Sequence, residues 1–282
     1  MIRLGLIGDN IRRSKSPLLH RLAGRLCGLE VSYEPLIPAD TGLDFDAVFD
    51  RCATDGFRGI NITYPYKERV VTKLDVADPQ TRAVAAFNTA LFGEGRPTGF
   101  NTDCSGFAAA FRNSFGKASP GHVAMAGAGG VGKAIAFALA GLGATGLTLF
   151  DPDADKVGAL AAALGDGAPK MAVRIAASVE GLVDGANGLV NSTPLGMVGH
   201  AGTAFPVHLI GKADWAFDAV YTPVDTQFLT DARAAGLTTL SGYELFFFQG
   251  VDAFRLFTGQ SVDANALRTA LLEPDPELRQ SA

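Results

Sequence analysis

Three glycines, Gly127, Gly129 and Gly132, stand at GxGxxG spacing in the segment GAGGVGKA, and Asp151 follows them at the end of the next apolar run. A strand-like run, residues 122–126, precedes the triplet and an uncharged helical stretch follows it. In that setting a glycine turn cradles the pyrophosphate of a dinucleotide. Gly127 permits the tight turn, Gly129 lets a phosphate approach the backbone, and Gly132 lets helix and strand pack closely, while the helix N-terminus offers unpaired N–H groups to the anion. Ala128, Gly130 and Val131 complete the same cradle. An ordinary glycine-rich βα turn is the alternative, since the chain holds 34 glycines. A carboxylate at the position of Asp151 hydrogen-bonds the adenosine ribose and repels a 2′-phosphate, which predicts NAD in preference to NADP. The segment FDPDAD has no arginine, but Lys156 lies close enough to keep NADP open. Asp151 read as a plain helix N-cap would say nothing about the cofactor.

Four further polar clusters fall at predicted strand ends or loops, where α/β folds place ligand contacts. They are Ser14-Lys15-Ser16-Pro17, Asn61 through Thr63 to Lys67, Asn88-Thr89, and Asn101-Thr102-Asp103. Each has a plainer reading. Lys67 would otherwise be a solvated lysine opening a short charge run, Asp103 a helix N-cap, Ser14 and Ser16 caps of the first helix, and Asn61 and Asn88 turn residues. Gln249 sits in the apolar run FFFQGVDAF, where a buried amide needs partners. Ser192-Thr193-Pro194 is not a GxSxG elbow and has no base near it in sequence, so hydrolase chemistry is not expected; Thr193 and Pro194 read as a segment that closes over the cofactor. His20, His122, His200 and His208 show no metal-ligand spacing, and no metal is expected.

The elements that must hold these groups alternate. Strand-like residues 3–7, 31–36 and 59–63 are separated by helical stretches 18–26 and 43–50, and the signal weakens between 75 and 86. A helical pattern at 107–115 precedes the linker-like GKASPG, and strands at 122–126, 147–150, 188–191 and 215–220 follow. The fold class is therefore α/β, with an N-terminal substrate domain, residues 1–115, and a Rossmann-type dinucleotide-binding domain, residues 116–243. The apolar helical stretch from residue 244 onward is expected to return to the first domain.

Composition narrows the function class. With a net charge of -5 and only short basic groupings, a nucleic-acid partner is not expected. The longest uncharged apolar stretch, 134–150, carries Gly141, Gly143 and Gly146 and reads as a buried helix and strand, not a membrane span. The N-terminus lacks a signal-peptide pattern, and Cys27, Cys52 and Cys104 are odd in number without a CxxC pair, which suits reduced, core-packed thiols in a cytoplasmic protein. Disorder is expected only in the polar tail after Glu273.

In order and spacing the chain resembles the shikimate/quinate dehydrogenase family over nearly its whole length. The resemblance is carried by SxSP at 14–17, GxNITxPxK at 59–67, AxNT at 86–89, GxNTDxxG at 99–106, GAGGVG, NSTPLGM at 191–197, DAVYTP at 218–223 and the late Gln249. It implies an NAD(P)-dependent alcohol oxidoreductase in which Lys67 and Asp103 are the catalytic pair, facing the nicotinamide across an interdomain cleft. Ser14, Ser16, Asn61, Thr63, Asn88, Tyr221 and Gln249 match residues that hold or border the substrate, a small ring hydroxy acid such as shikimate or quinate. Gly242 matches a cofactor contact. Departures fall around the substrate: Arg13 replaces a frequent histidine, Phe87 a valine and Leu245 a methionine. Ser16 leans toward shikimate, because quinate-using relatives tend to carry threonine there, whereas Asp151 and VDAFRLFTG resemble the NAD-using quinate/shikimate branch. Dehydrogenases of related cyclitol acids and a catalytically silent binding relative are the competing readings, and a monomer and a homodimer stay equally open.

Overall fold

The computed structural model describes residues 1–273, apart from the side chain of Gln80; the polar tail expected to be disordered lies outside these residues. The chain divides into two compact units, residues 1–102 together with the stretch from Gln249 onward, and residues 103–248.

In the first unit, strands β1 (Ile2–Ile7), β2 (Val31–Leu36), β3 (Gly59–Ile62), β4 (Thr89–Leu91) and β5 (Thr98–Phe100) form one sheet in the order β2-β1-β3-β4-β5. The first three run parallel, joined through the helices Ser16–Leu26 and Phe45–Thr54. β4 and β5 then pair antiparallel, so the sheet is mixed rather than uniformly parallel. Both strands are three residues long, too short for the alternation that marks a strand in sequence. Phe45, Phe49, Ile60 and Phe87 pack one side of the sheet. Leu4, Leu6 and Tyr33 pack the other, together with Ala253 and Phe257 of the long helix Gly242–Thr258. The expected return of the C-terminal helices is therefore present, and the helix Ala264–Leu272 packs on Ser16–Leu26.

The second unit holds β6 (His122–Ala126), β7 (Gly146–Phe150), β8 (Ala172–Ile175), β9 (Gly188–Asn191), β10 (Trp215–Asp218) and β11 (Thr238–Ser241). Their order, β11-β10-β9-β6-β7-β8, is all parallel and is the doubly wound Rossmann order. Val123, Leu147 and Phe217 face one core, and Ala124, Leu189 and Phe228 the other. The helix Thr102–Phe115 belongs almost wholly to this unit, ahead of the linker placed at 116–121 from sequence. Its aromatic face explains the shift: Phe107 meets Phe217 edge-on at 4.9 Å between ring centroids, and Phe111 meets Trp215 at 5.2 Å. Among the described residues no helix is long and apolar enough to cross a membrane, and no cluster of three or more potential metal ligands occurs. Cys27, Cys52 and Cys104 form no disulfide; Cys52 is buried in the core and the other two are half-buried.

Candidate active site

The topology of the first sheet explains why clusters spread from residue 14 to residue 103 in sequence share one edge. The loop bearing Ser14 and Ser16 leaves the end of β1, and Thr63 continues from the end of β3, its N–H donating to Ile7 O at 2.9 Å. Because β4 runs against β3, its beginning lies at that same edge, with Thr89 opposite Asn61. β5 reverses again, placing Phe100 opposite Thr89 and leading directly into Asn101 and Thr102.

The side chains there form a connected polar network. Asn88 Oδ1 accepts from the Thr102 N–H at 2.7 Å, and Asn88 Nδ2 donates to Thr102 Oγ1 at 3.0 Å and to Gln249 Oε1 at 3.5 Å. The amide that sequence singled out in an apolar helix thus finds partners on this edge. Asn61, expected among the substrate contacts, has its amide engaged inside the protein: Nδ2 donates to Asn88 O at 3.2 Å and Thr89 Oγ1 at 3.0 Å, and Oδ1 accepts from Tyr33 Oη at 2.9 Å. The Ser14 and Ser16 hydroxyls lie 3.1 Å apart; Lys15 is the N-cap of the first helix without a capping side chain, and the Ser14 hydroxyl accepts the N–H of Ser16, the helix's first residue, at 3.2 Å.

Lys67 follows a turn in which Tyr66 N donates to Thr63 O at 2.9 Å, and its own carbonyl accepts from Phe87 N at 2.9 Å. The neighbouring Tyr66 is stacked on Phe45 and donates its hydroxyl to Asp9 at 2.6 Å; burial first, then Asp9, pushes that phenol up to about 12. The backbone of Lys67 is therefore anchored on both sides, while its side chain is half-buried.

In the second unit Asp103 is buried in the first turn of the helix Thr102–Phe115, where a carboxylate suits the helix dipole. Tyr221 stacks on Phe246 at 5.4 Å, and burial, with the Asp103 charge adding to it, raises its phenol above the ordinary range.

Five loops at the carboxyl edge of the parallel sheet carry residues expected from sequence. The glycine turn follows β6, Asp151 follows β7, Thr193 and Pro194 follow β9, Tyr221 follows β10, and Gly242 follows β11. The three turn glycines differ in what they answer to. Gly127 has φ +101°, and a Cβ there would lie 2.7 Å from Ser192 C; on Gly132 it would lie 2.6 Å from Gly127 O. On Gly129 a Cβ would meet nothing within 4 Å, so packing within the protein does not require that glycine, and the open space beside it suits the approach of a phosphate. Gly129 is also the N-cap of the helix Gly130–Gly141, and no side chain caps it, which leaves the first-turn N–H groups of Gly130 and Val131 to a ligand. Gly242 approaches the backbone so closely that a Cβ would lie 2.4 Å from Ala219 O.

Asp151 is not the N-cap of the next helix. Asp153 takes that role, accepting from Lys156 N at 3.2 Å. Asp151 instead accepts from Ala128 N at 2.8 Å and Asp153 N at 2.9 Å, keeping lone pairs for ribose hydroxyls. Lys156, the cation that kept NADP open, lies 3.2 Å from Asp153 Oδ2. These residues fit the adenosine half of a nicotinamide dinucleotide.

Sequence reasoning missed the supports. Ser192 donates its hydroxyl to Ala126 O and Gly127 O, at 2.8 and 2.9 Å, and so braces the glycine turn. Asn191 Oδ1 accepts from the Thr193 N–H and hydroxyl, while Asn191 Nδ2 donates to Asp218 Oδ1 at 2.9 Å. Asp218 is fully buried, and burial pushes its carboxyl up to about 6 against hydrogen bonds from Thr226, Val220 and Asn191. The signal was there in NSTPLGM and DAVYTP, where Asn191, Ser192 and Asp218 spend these hydrogen bonds on the glycine turn and on neighbouring groups.

Residues 6–90 match the family model of the shikimate dehydrogenase substrate-binding domain. The chain is similar to the quinate/shikimate dehydrogenase (NAD(+)) of Corynebacterium efficiens, 39% identical over 277 residues that cover 96% of this chain and 98% of the relative. Among solved structures, the quinate dehydrogenase of Corynebacterium glutamicum in complex with NAD superposes with a TM-score of 0.88 at 37% identity, covering 96% of this chain and 98% of that one. The shikimate 5-dehydrogenase of Thermus thermophilus in complex with NADP(H) and shikimate superposes with a TM-score of 0.82 at 33% identity, over the full length of both chains.

Proposed function

The chain belongs to the shikimate/quinate dehydrogenase family of NAD(P)-dependent oxidoreductases, and on that premise we propose that it interconverts shikimate and 3-dehydroshikimate, prefers NAD, and also accepts quinate. The observation that carries the substrate half is the convergence of Ser14, Ser16, Thr63, Asn88 and Gln249 on the sheet edge from which Lys67 arises. A ring bearing several hydroxyls and a carboxylate needs such a set of hydroxyl and amide partners.

In this reading Ser14 and Ser16 take the substrate carboxylate or its neighbouring hydroxyl, Thr63, Asn88 and Gln249 orient the ring hydroxyls, and Tyr221 borders them. Lys67 takes up the proton of the reacting hydroxyl in oxidation and returns it in reduction, and Asp103 supplies the carboxylate of the acid–base set. Bound NAD(P) accepts or delivers the hydride. The glycine turn, Thr193, Pro194 and Gly242 hold the cofactor, and the engagement of Lys156 by Asp153 beside Asp151 supports the preference for NAD. Three cysteines in no disulfide suit a cytoplasmic setting.

The test is kcat/KM for shikimate and for quinate, each with NAD and with NADP. The expected order places NAD above NADP for both acids. A strong NADP preference would overturn the role of Asp151, and binding of either acid without any turnover would establish the catalytically silent alternative.

A further inference from the structure

Behind the substrate edge lies a buried polar pair that none of the assigned roles uses. His20, in the helix Ser16–Leu26, is 1% exposed and lies flat on Tyr33 of β2, with centroids 4.7 Å apart and planes 12° from parallel. Phe254 and Phe257 close over the imidazole at 6.3 and 5.7 Å. Its Nδ1 has no hydrogen-bond partner among the described residues. Burial pushes the ring down to about 3, opposed by a hydrogen bond with the Asn61 side chain, so it is neutral at any working pH. An apolar pair of similar size would fill the same space without burying polar atoms.

What the polar pair achieves is the orientation of one amide. Tyr33 Oη donates to Asn61 Oδ1 at 2.9 Å. With the oxygen held there, Nδ2 must face Asn88 O and Thr89 Oγ1, to which it donates. Turned over, the Asn61 amide would set its oxygen against the Asn88 carbonyl oxygen and leave the Tyr33 hydroxyl proton without its acceptor, both unfavourable in a buried place.

We propose that Tyr33 and His20 are positioning residues that lock the Asn61 amide, and through it the start of β4, so that Asn88 presents its side chain to the ring acid beside Gln249. The inference rests on the reading of this edge as the substrate site. None of Tyr33, His20 or Asn61 then needs to touch the substrate.

Tyr33→Phe removes one oxygen and leaves the stack on His20 in place. Expected is a rise of about tenfold in KM for the ring acid, with KM for NAD and Tm nearly unchanged. His20→Gln, which keeps a neutral hydrogen-bonding group, should stay within about threefold of wild type, whereas His20→Leu should match Tyr33→Phe. The brace is also read without turnover, from hydrogen exchange of the Asn61 side-chain amide, which should quicken at least tenfold in Tyr33→Phe. Unchanged exchange with unchanged KM overturns the proposal, as does an equal rise in both KM values. If wild type turns over neither acid while Tyr33→Phe quickens the exchange, the reaction is misassigned and the brace stands.

Discussion

Asp151 accepts the backbone N–H of Ala128 at 2.8 Å, so the carboxylate to which we assign cofactor selection is also tied to the glycine turn proposed to receive the phosphates. Its other oxygen accepts from Asp153 N at 2.9 Å, so the side chain is held from two sides.

Asp151→Ala is therefore expected to act twice. Loss of the ribose contact should raise KM for NAD about tenfold, near 1.4 kcal/mol, and narrow the preference over NADP. Loss of the acceptor for Ala128 and Asp153 should lower Tm by a few degrees. Kinetics with both cofactors and a thermal melt check it; an unaltered NAD/NADP ratio would leave Asp151 a brace only.

The glycine turn separates folding from binding. Gly129→Ala has φ -75° and open space around the new methyl, so Tm should hold or rise slightly while KM for NAD climbs at least tenfold. Gly132→Ala drives a methyl to 2.6 Å from Gly127 O and should cost on the order of 2 kcal/mol of stability. Equal effects of the two variants on Tm would contradict the assignment of Gly129 to the ligand.

Much of the placement was legible in sequence because the proposed ligand contacts sit in short loops with strong local signatures. The glycine turn, Asp151 and Asn88 lie at strand ends and Lys67 in the loop that follows β3, where their motifs placed them. The antiparallel β4 and β5 were not legible, since three residues carry no period, and neither was the unit to which the helix Thr102–Phe115 belongs. That choice depends on Phe107 and Phe111 finding Phe217 and Trp215, partners more than a hundred residues away. The supports were hidden for a similar reason. Tyr33 looks like an ordinary strand aromatic, and only the pairing of β3 with β4 shows what its hydroxyl is for.

Lys67→Ala should lower kcat by about 10²–10⁴. The backbone hydrogen bonds that hold this position, to Phe87 N and through the Tyr66 turn, do not involve the lysine side chain, so Tm should be little changed. Steady-state rates with calorimetric binding of the ring acid separate the two effects. Near-normal turnover would remove Lys67 from the reaction.

Two buried groups should give opposite pH dependences of stability. His20 has its folded value lowered from 6.5 to about 3, so the unfolded chain binds the proton first and stability is lost as pH falls below 6.5. At pH 5 the loss is about 2 kcal/mol. Asp218 has its folded value raised from 3.8 to about 6, so its favourable contribution is complete below 3.8 and disappears as pH rises through 6. In wild type the two slopes oppose each other between roughly pH 4 and 6. Single variants separate them: the Tm difference between His20→Gln and wild type should move in favour of the variant as pH falls from 6.5 to 4.5. The difference for Asp218→Asn should move in favour of that variant as pH rises through 6. Because each comparison is made against wild type at the same pH, the exposed carboxylates cancel, and a pH-independent difference for either variant would mean that the group it replaces does not change its protonation on unfolding in that window.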